Sequence, residues 1–381
     1  MATSSAKRHR VFRSSRHIVG YWENGEFVLH QFASGRRAVV HLDALQVLNA
    51  CREWTPLDAI VKSVPSMPAA WVRRAVKRLA DASFIHRSDD RYSSVELAYD
   101  RWGAWGPVAA FFHSATRGVE WPDPELREQL ELQLRAKADL VRPPAPVKTQ
   151  RRLKQVALPS PRSTGEFPSV LLARRTWRGF SKVPVSLVDL STLLWLTSGV
   201  QMWGESSAGE PVPFKTSPSA GAKHPIELYV LARNVRGLPR GIYHYACDQH
   251  RLGLVSRGLT TSQIQRFLGN QWQFRDAGLV VVMTAVVART QWTYSTPRAF
   301  RSVLAEAGHV CQTFCLVATW LNLAPFCTMA LADHAVEKAL KIDGVAEIVL
   351  YAAGASRKPA NGRWVQWPSH APGRPYLPPN H

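Results

Sequence analysis

The sequence predicts an α+β chain in which a small N-terminal module of strands and helices precedes a larger domain of alternating helices and strands. Three observations carry that expectation. Asn24-Gly25 separates two β-prone runs, Ile18 to Trp22 and Phe27 to Phe32, and this pairing is the strongest short-range hairpin signal. Apolar residues then recur at helical spacing around His41 to Arg52 and again over Pro68 to Ser83. Beyond residue 167, strand-like runs at 226–232, 241–245, 279–287 and 347–352 are interleaved with a long apolar helix expected from Val303 to about Asn322.

With 381 residues the chain exceeds one ordinary core, so more than one folding unit is expected. The 14 tryptophans argue against disorder. The stretch 1–16 reads as a basic, Ser-containing tail without the apolar core of a secretory signal, which points to the cytoplasm; an organellar transit segment is the other reading of its composition. Five scattered cysteines do not suggest a disulfide framework, and Cys311 and Cys315, at i, i+4, read as core packing with no metal site assigned. A net charge of +20, carried on scattered arginines, reads first as high overall arginine usage, with attraction to an acidic peptide or carrier protein as the functional alternative, rather than as one nucleic-acid groove. The sequence lacks a P-loop, a His-Glu-x-x-His and a strand-linked G-x-G-x-x-G, which sets aside nucleotide hydrolysis, zinc hydrolysis and Rossmann binding.

The first hairpin leads into a helix on which Leu42, Leu45, Val47, Leu48 and Cys51 share a face. A second helix buries Trp71, Val72, Ala75, Val76, Leu79 and Ala80 and exposes Arg73, Arg74, Lys77 and Arg78. Phe84-Ile85-His86 and Arg91-Tyr92 complete a small hairpin, so residues 17–95 form a winged-helix-like module. This module resembles the PqqD-like peptide-clamp domains, which implies capture of a leader peptide as an added strand. A dimerising role and DNA binding are the competing readings. Residues 96–121 form an aromatic connecting segment, with Trp102, Trp105, Phe111, Phe112 and His113, and residues 122–166 form a Pro/Arg-rich linker.

The second domain is expected over 167–360, followed by a C-terminal tail at 361–381. Helices are placed at Pro168 to Arg175 and Leu187 to Thr197, the latter capped by Ser186 with Asp189 in its first turn. Two motifs flank them. Arg174-Arg175-Thr176-Trp177-Arg178 gathers three guanidiniums and a hydroxyl suited to a phosphate. Pro218-Ser219-Ala220-Gly221 is a small-residue loop through which backbone amides can approach a flat ring. Together these motifs resemble the flavin mononucleotide (FMN) signature of the nitroreductase superfamily, in particular its SagB-like azoline dehydrogenases. The W-x-x-W…Phe-Phe-His segment at 102–113 extends the resemblance upstream.

The resemblance implies a nitroreductase-like fold, FMN as cofactor and a homodimer, because in such proteins the small-residue loop reaches the flavin of the partner subunit. Residue by residue, it implies contacts to FMN from Arg174, Arg175, Thr176 and Arg178, Arg175 alternatively orienting the loop, and from Pro218, Ser219, Ala220 and Gly221. Gln312 or Thr313 on the long helix, Gly354 at the end of the last strand, and the nearby Ser356 and Arg357 complete the implied set. Lys223 and His224 occupy positions from which side chains would face substrate, and His309 is an acid/base candidate. The resemblance gives Tyr294 the proton-transfer role. Here the chain departs from the azoline oxidases, since Thr293 stands where they carry a lysine, and Asn322-Leu323-Ala324 replaces their Gly-Leu-Gly.

The resulting expectation is an FMN-dependent dehydrogenase acting on a peptide- or carrier-bound substrate in natural-product biosynthesis, azoline to azole in type, in a complex that includes a cyclodehydratase. An NAD(P)H-dependent nitro or quinone reductase and a non-catalytic peptide-binding scaffold subunit are the alternatives.

Overall fold

The computed structural model describes residues 10–118, 164–205 and 211–360, with scattered positions between 121 and 140. Most of the expected linker, the C-terminal tail and residues 1–9 lie outside the described residues. The chain divides into two compact units, one of Met1–Arg117 with Gln291–Phe300, the other of Gly118–Thr290 with Arg301–His381.

In the first unit, strands β2 (Ile18–Glu23), β3 (Glu26–Gln31) and β4 (Arg36–Val39) form an antiparallel sheet. Asn24 and Gly25 both take positive φ at the β2–β3 turn, 52° and 82°, as a tight hairpin turn requires. Helices α1 (Asp43–Ala50), α2 (Leu57–Ser63) and α3 (Ala69–Asp81) pack Val47, Ile60, Val72 and Val76 against Leu29. On α3, Arg73, Arg74, Lys77 and Arg78 face solvent, as the apolar spacing of the helix dictates.

The end of this module differs from expectation. Strand β6 (Ile85–Arg87) does not form a hairpin with Arg91-Tyr92; it pairs with β1 (Val11–Ser14), which also pairs with the two-residue β5 (Thr55–Pro56). The predicted wing gives way to a helix start. Ser93 accepts from the Glu96 amide at 3.1 Å and Glu96 accepts from the Ser93 amide at 3.0 Å, a capping box that opens α4 (Ser94–Asp100). Strand β1 falls within the stretch expected as a tail, and Phe12 is buried in the core. The unit is therefore a sheet-rich domain with two three-stranded sheets.

The aromatic segment forms α5 (Gly106–Thr116) and the short turn before it. Trp102 stacks on His113 at 5.5 Å, and both rings meet Phe300. Trp105 is fully buried, and its indole N–H donates to the Tyr294 carbonyl at 2.8 Å.

The second unit is built on a six-stranded antiparallel sheet in the order β11-β10-β9-β12-β14-β13. Its central strands are β9 (Ile226–Ala232), β12 (Leu279–Val286) and β14 (Glu347–Ala355), flanked by β10 (Gly241–Ala246), β11 (Arg251–Arg257) and β13 (Phe326–Thr328). Leu279 through Ala285 are buried without interruption, which explains why β12 reads as a continuous apolar run rather than an alternating one. A separate two-stranded ribbon, β7 (Met202–Glu205) and β8 (Pro211–Phe214), precedes the small-residue loop. Helices α6 (Glu166–Ala173), α7 (Leu187–Ser198), α8 (Thr261–Phe267), α9 (Val287–Thr293), α10 (Phe300–Trp320) and α11 (Asp333–Leu340) complete the described helices. Ser186 caps α7, accepting from the Asp189 amide at 3.0 Å. Among the described residues, no helix is long and apolar enough to cross a membrane.

Candidate functional site

The small-residue loop is laid along one face of α10 by three successive polar contacts. Ser217 and Thr313 share a hydroxyl hydrogen bond of 2.8 Å, the Pro218 carbonyl lies 3.3 Å from His309 Nδ1, and the Ser219 hydroxyl donates to Glu306 Oε2 at 2.5 Å. Positions 306, 309 and 313 recur at the spacing that aligns side chains on one helical face. The loop therefore runs antiparallel to the helix, one contact per turn or so.

The same loop turns sharply at its end. Gly221 and Ala222 take φ of 58° and 53°, and His224 takes 41°. Gly221 meets the left-handed conformation without strain and remains exposed, leaving bare backbone on the outer surface of the bend. The His224 amide returns a hydrogen bond to the Ser219 hydroxyl at 2.8 Å, closing the turn.

Glu306 is 3% exposed, and burial pushes its carboxyl above the ordinary carboxylate range, opposed by the hydrogen bond from Ser219 and by the charge of Lys215. His224 is also buried and sits with Nδ1 3.8 Å from Glu306 Oε1. Burial, assisted by the charge of Lys215, pushes His224 down to about 4, so the imidazole is neutral at neutral pH. His224 thus belongs to the support of the loop rather than to a substrate-facing surface. Arg289 donates to the His224 carbonyl at 3.0 Å and also pairs with Glu227, extending this support to β9.

The Arg174–Arg178 segment leaves the C-terminal end of α6 in extended conformation. Its members separate into distinct roles. Arg175 donates to the carbonyls of Leu172 and Arg174, at 2.8 and 2.7 Å, and so closes the helix end. The Trp177 amide donates to the Pro325 carbonyl at 2.8 Å, and the Trp177 ring is buried, anchoring the segment. Burial lowers the Arg178 guanidinium, whose desolvation an anionic group would offset. Arg174 and Thr176 are half-buried.

The remaining expected residues fall in other settings. Gln312 is exposed on α10, beside Thr313. Gly354 lies within β14 opposite Phe326 and Val280, where a Cβ would run into the Phe326 ring, so packing already demands glycine there. Arg357 is paired with Asp189 at 2.6 Å. Tyr294 belongs to the first unit, half-buried, with its carbonyl held by Trp105. Glu306 was not among the expected residues. Its one sequence signal is an acid on a largely apolar helix, in register with His309 and Thr313.

A nitroreductase-family model matches residues 171–354, the stretch that contains the Arg174–Arg178 segment, the loop and α10. The nitroreductase-family protein MJ1384 of Methanocaldococcus jannaschii is 33% identical over 177 residues, 46% of this chain and 85% of that protein. The trifolitoxin-processing protein TfxB of Rhizobium leguminosarum bv. trifolii is 30% identical over 142 residues, which cover 36% of this chain but 38% of TfxB. A solved nitroreductase-family structure from Anabaena variabilis superposes with a TM-score of 0.41 at 27% identity, covering 44% of this chain and 34% of that one. A relative matched over most of its length, together with a family model that spans both motifs and the helix between which the loop is held, establishes that this chain belongs to the nitroreductase family.

Proposed function

We propose that this nitroreductase-family chain is an FMN-dependent oxidoreductase that dehydrogenates a peptide- or carrier-bound substrate, of the azoline-to-azole type, in cytoplasmic natural-product biosynthesis. The observation that carries the reading is the clamped loop: its bend offers exposed backbone and no bulky side chain, while Glu306, His309 and Thr313 fix it to α10.

The residues present fit the cofactor. Arg178 is a partly buried cation, and Arg174 and Thr176 lie beside it in the same extended segment, a donor set matched to a phosphate and an anionic ring edge. Arg175 and Arg357 are committed to the α6 end and to Asp189, so Arg174, Thr176 and Arg178 are the groups assigned to FMN. Pro218, Ser219, Ala220 and Gly221 would lie against the ring, with Gln312 at its margin. When bound, FMN supplies a hydride acceptor. Tyr294 is assigned the proton that leaves the substrate carbon, a role for a positioned phenol in general acid–base chemistry.

A homodimer belongs to this reading. An apolar groove of about 370 Å³, lined by Phe167, Val170, Leu196, Leu316, Val317 and Trp320, is the face assigned to a second copy. The N-terminal unit is assigned to substrate capture. Its β6 is an edge strand beside a cavity of about 500 Å³ whose lining mixes Arg36, Arg87 and Arg91 with Asp81, Asp90 and Glu96, a setting suited to strand addition by a peptide. Similarity to a trifolitoxin-processing protein supports a peptide substrate.

The second reading, an NAD(P)H-dependent nitro or quinone reductase, is favoured by the fuller match to MJ1384. Anaerobic titration of the FMN-loaded chain separates the two. Bleaching of the flavin by an azoline-containing peptide, with slow reaction toward NADPH, is the expected result; rapid bleaching by NADPH and none by the peptide transfers the assignment to the second reading.

A further inference from the structure

Helix α10 carries Cys311 and Cys315 one turn apart, and each is 3% exposed. Strand β13 brings Cys327 to the same point, so that the three Sγ atoms lie within 4.8 Å of one another. Among the described residues, this is the one cluster of three or more ligand-type side chains that converge in this way. The sequence reading as core packing accounts for two buried thiols on a helix. It does not account for a third arriving from the sheet, because a thiol gains no more from another thiol than from a methyl group of similar size.

The spacing is that of a coordination sphere. Zinc–thiolate bonds of about 2.3 Å in tetrahedral geometry place sulfurs roughly 3.8 Å apart, within reach of this trio by side-chain adjustment of about an ångström. The surroundings supply what such a site needs. Tyr351 on β14 donates its hydroxyl to Cys327 Sγ at 3.7 Å, orienting a ligand from outside the sphere.

We propose that Cys311, Cys315 and Cys327 form a binding site for one thiophilic d¹⁰ cation of the zinc class, which clips α10 to the sheet edge at β13. Binding converts three thiols to three metal thiolates with release of three protons and no change of oxidation state; the fourth position falls to a water molecule. The site is separate from the flavin reading, since its ligands are none of the residues assigned to FMN and its occupancy is read from the metal alone.

The test uses the full-length chain, reduced and stripped of metal, titrated with zinc and, as a spectroscopic probe, cadmium. The expected result is one equivalent of zinc per chain by elemental analysis, an ultraviolet thiolate-to-cadmium band that saturates at the same stoichiometry, and a Tm raised by several degrees on zinc addition. Cys327→Ser, at the half-buried strand position, should lose at least tenfold in affinity and lose the zinc-dependent rise in Tm, while Cys247→Ser retains both. Should Cys327→Ser fold poorly, Cys315→Ala read by the cadmium band serves the same purpose. Absence of uptake by the reduced wild-type chain, or equal uptake by Cys327→Ser, overturns the proposal.

Discussion

The Ser219 hydroxyl donates to the buried carboxylate of Glu306 at 2.5 Å, the shortest of three polar contacts that join the small-residue loop to the long helix of a nitroreductase-family domain. Glu306 gives the loop a fixed register because its carboxylate is buried, at 3% exposure: a buried acceptor that loses its donor bears the whole desolvation cost, about 1–3 kcal/mol. Glu306→Ala is therefore expected to weaken FMN binding by roughly tenfold or more and to lower Tm, whereas Glu306→Gln, which keeps an acceptor for Ser219, should recover most of both. Flavin fluorescence quenching and thermal melts are the measurements; equal behaviour of the two variants would remove the positioning role.

His224 supplies the pH dependence. Its folded pKa is about 4, below the ordinary histidine value of 6.5. A depressed group contributes stability that is present above its unfolded pKa and is lost as pH falls through the folded value. The window is thus pH 6.5 down to 4, and the loss is on the order of 3 kcal/mol for a shift of this size. Glu306 acts in the opposite sense: its raised pKa contributes stability that is lost as pH rises through its folded value. His224→Asn suits the left-handed backbone at φ 41° and removes the titration. Denaturant melts from pH 7 to 4 should show a steeper loss in wild type than in this variant, and parallel curves would contradict the assignment.

Gly354 offers a test between packing and cofactor contact. A methyl group at this position meets the Phe326 ring and the Leu279 carbonyl, so Gly354→Ala is expected to cost about 1–3 kcal/mol of stability. Adding Phe326→Leu should return part of that loss. If Gly354→Ala instead melts like wild type and releases FMN, the glycine serves the cofactor and not the core.

Much of the second unit was legible because its signals are local. The short β-branched apolar run at 279–286 marks a covered strand, and Ser186 with Asp189 announces a helix start in the residues themselves. The same holds for Asn24-Gly25. What was not legible depends on pairing at long range. Val11–Ser14 carries too short an apolar pattern to stand out from its basic surroundings, and becomes a strand only because Ile85–Arg87 lies beside it. The expected wing failed for a local reason overlooked in the sequence, the Ser93–Glu96 capping box. In the candidate site, both motifs were visible, yet Glu306 was not, since its meaning lies in a loop contact 87 residues away.

Tyr294 carries the proposed proton transfer and is tested by Tyr294→Phe. The ring is kept and the hydroxyl removed, while the backbone carbonyl that holds Trp105 is unchanged. FMN affinity and Tm should stay at wild-type levels and turnover of an azoline peptide should fall by about 10²-fold or more. Turnover within twofold of wild type would withdraw the role from this residue.

Arg174, Thr176 and Arg178, together with the clamped 218–221 loop, are the groups assigned to FMN, and the visible absorption spectrum of the purified full-length chain tests that assignment most directly. After incubation with FMN and removal of the excess, the expected spectrum shows bound oxidised flavin at one equivalent per chain, reduced by tenfold or more in affinity in Arg178→Ala and only partly in Arg178→Lys. A folded wild-type chain that remains colourless at saturating FMN would contradict the assignment.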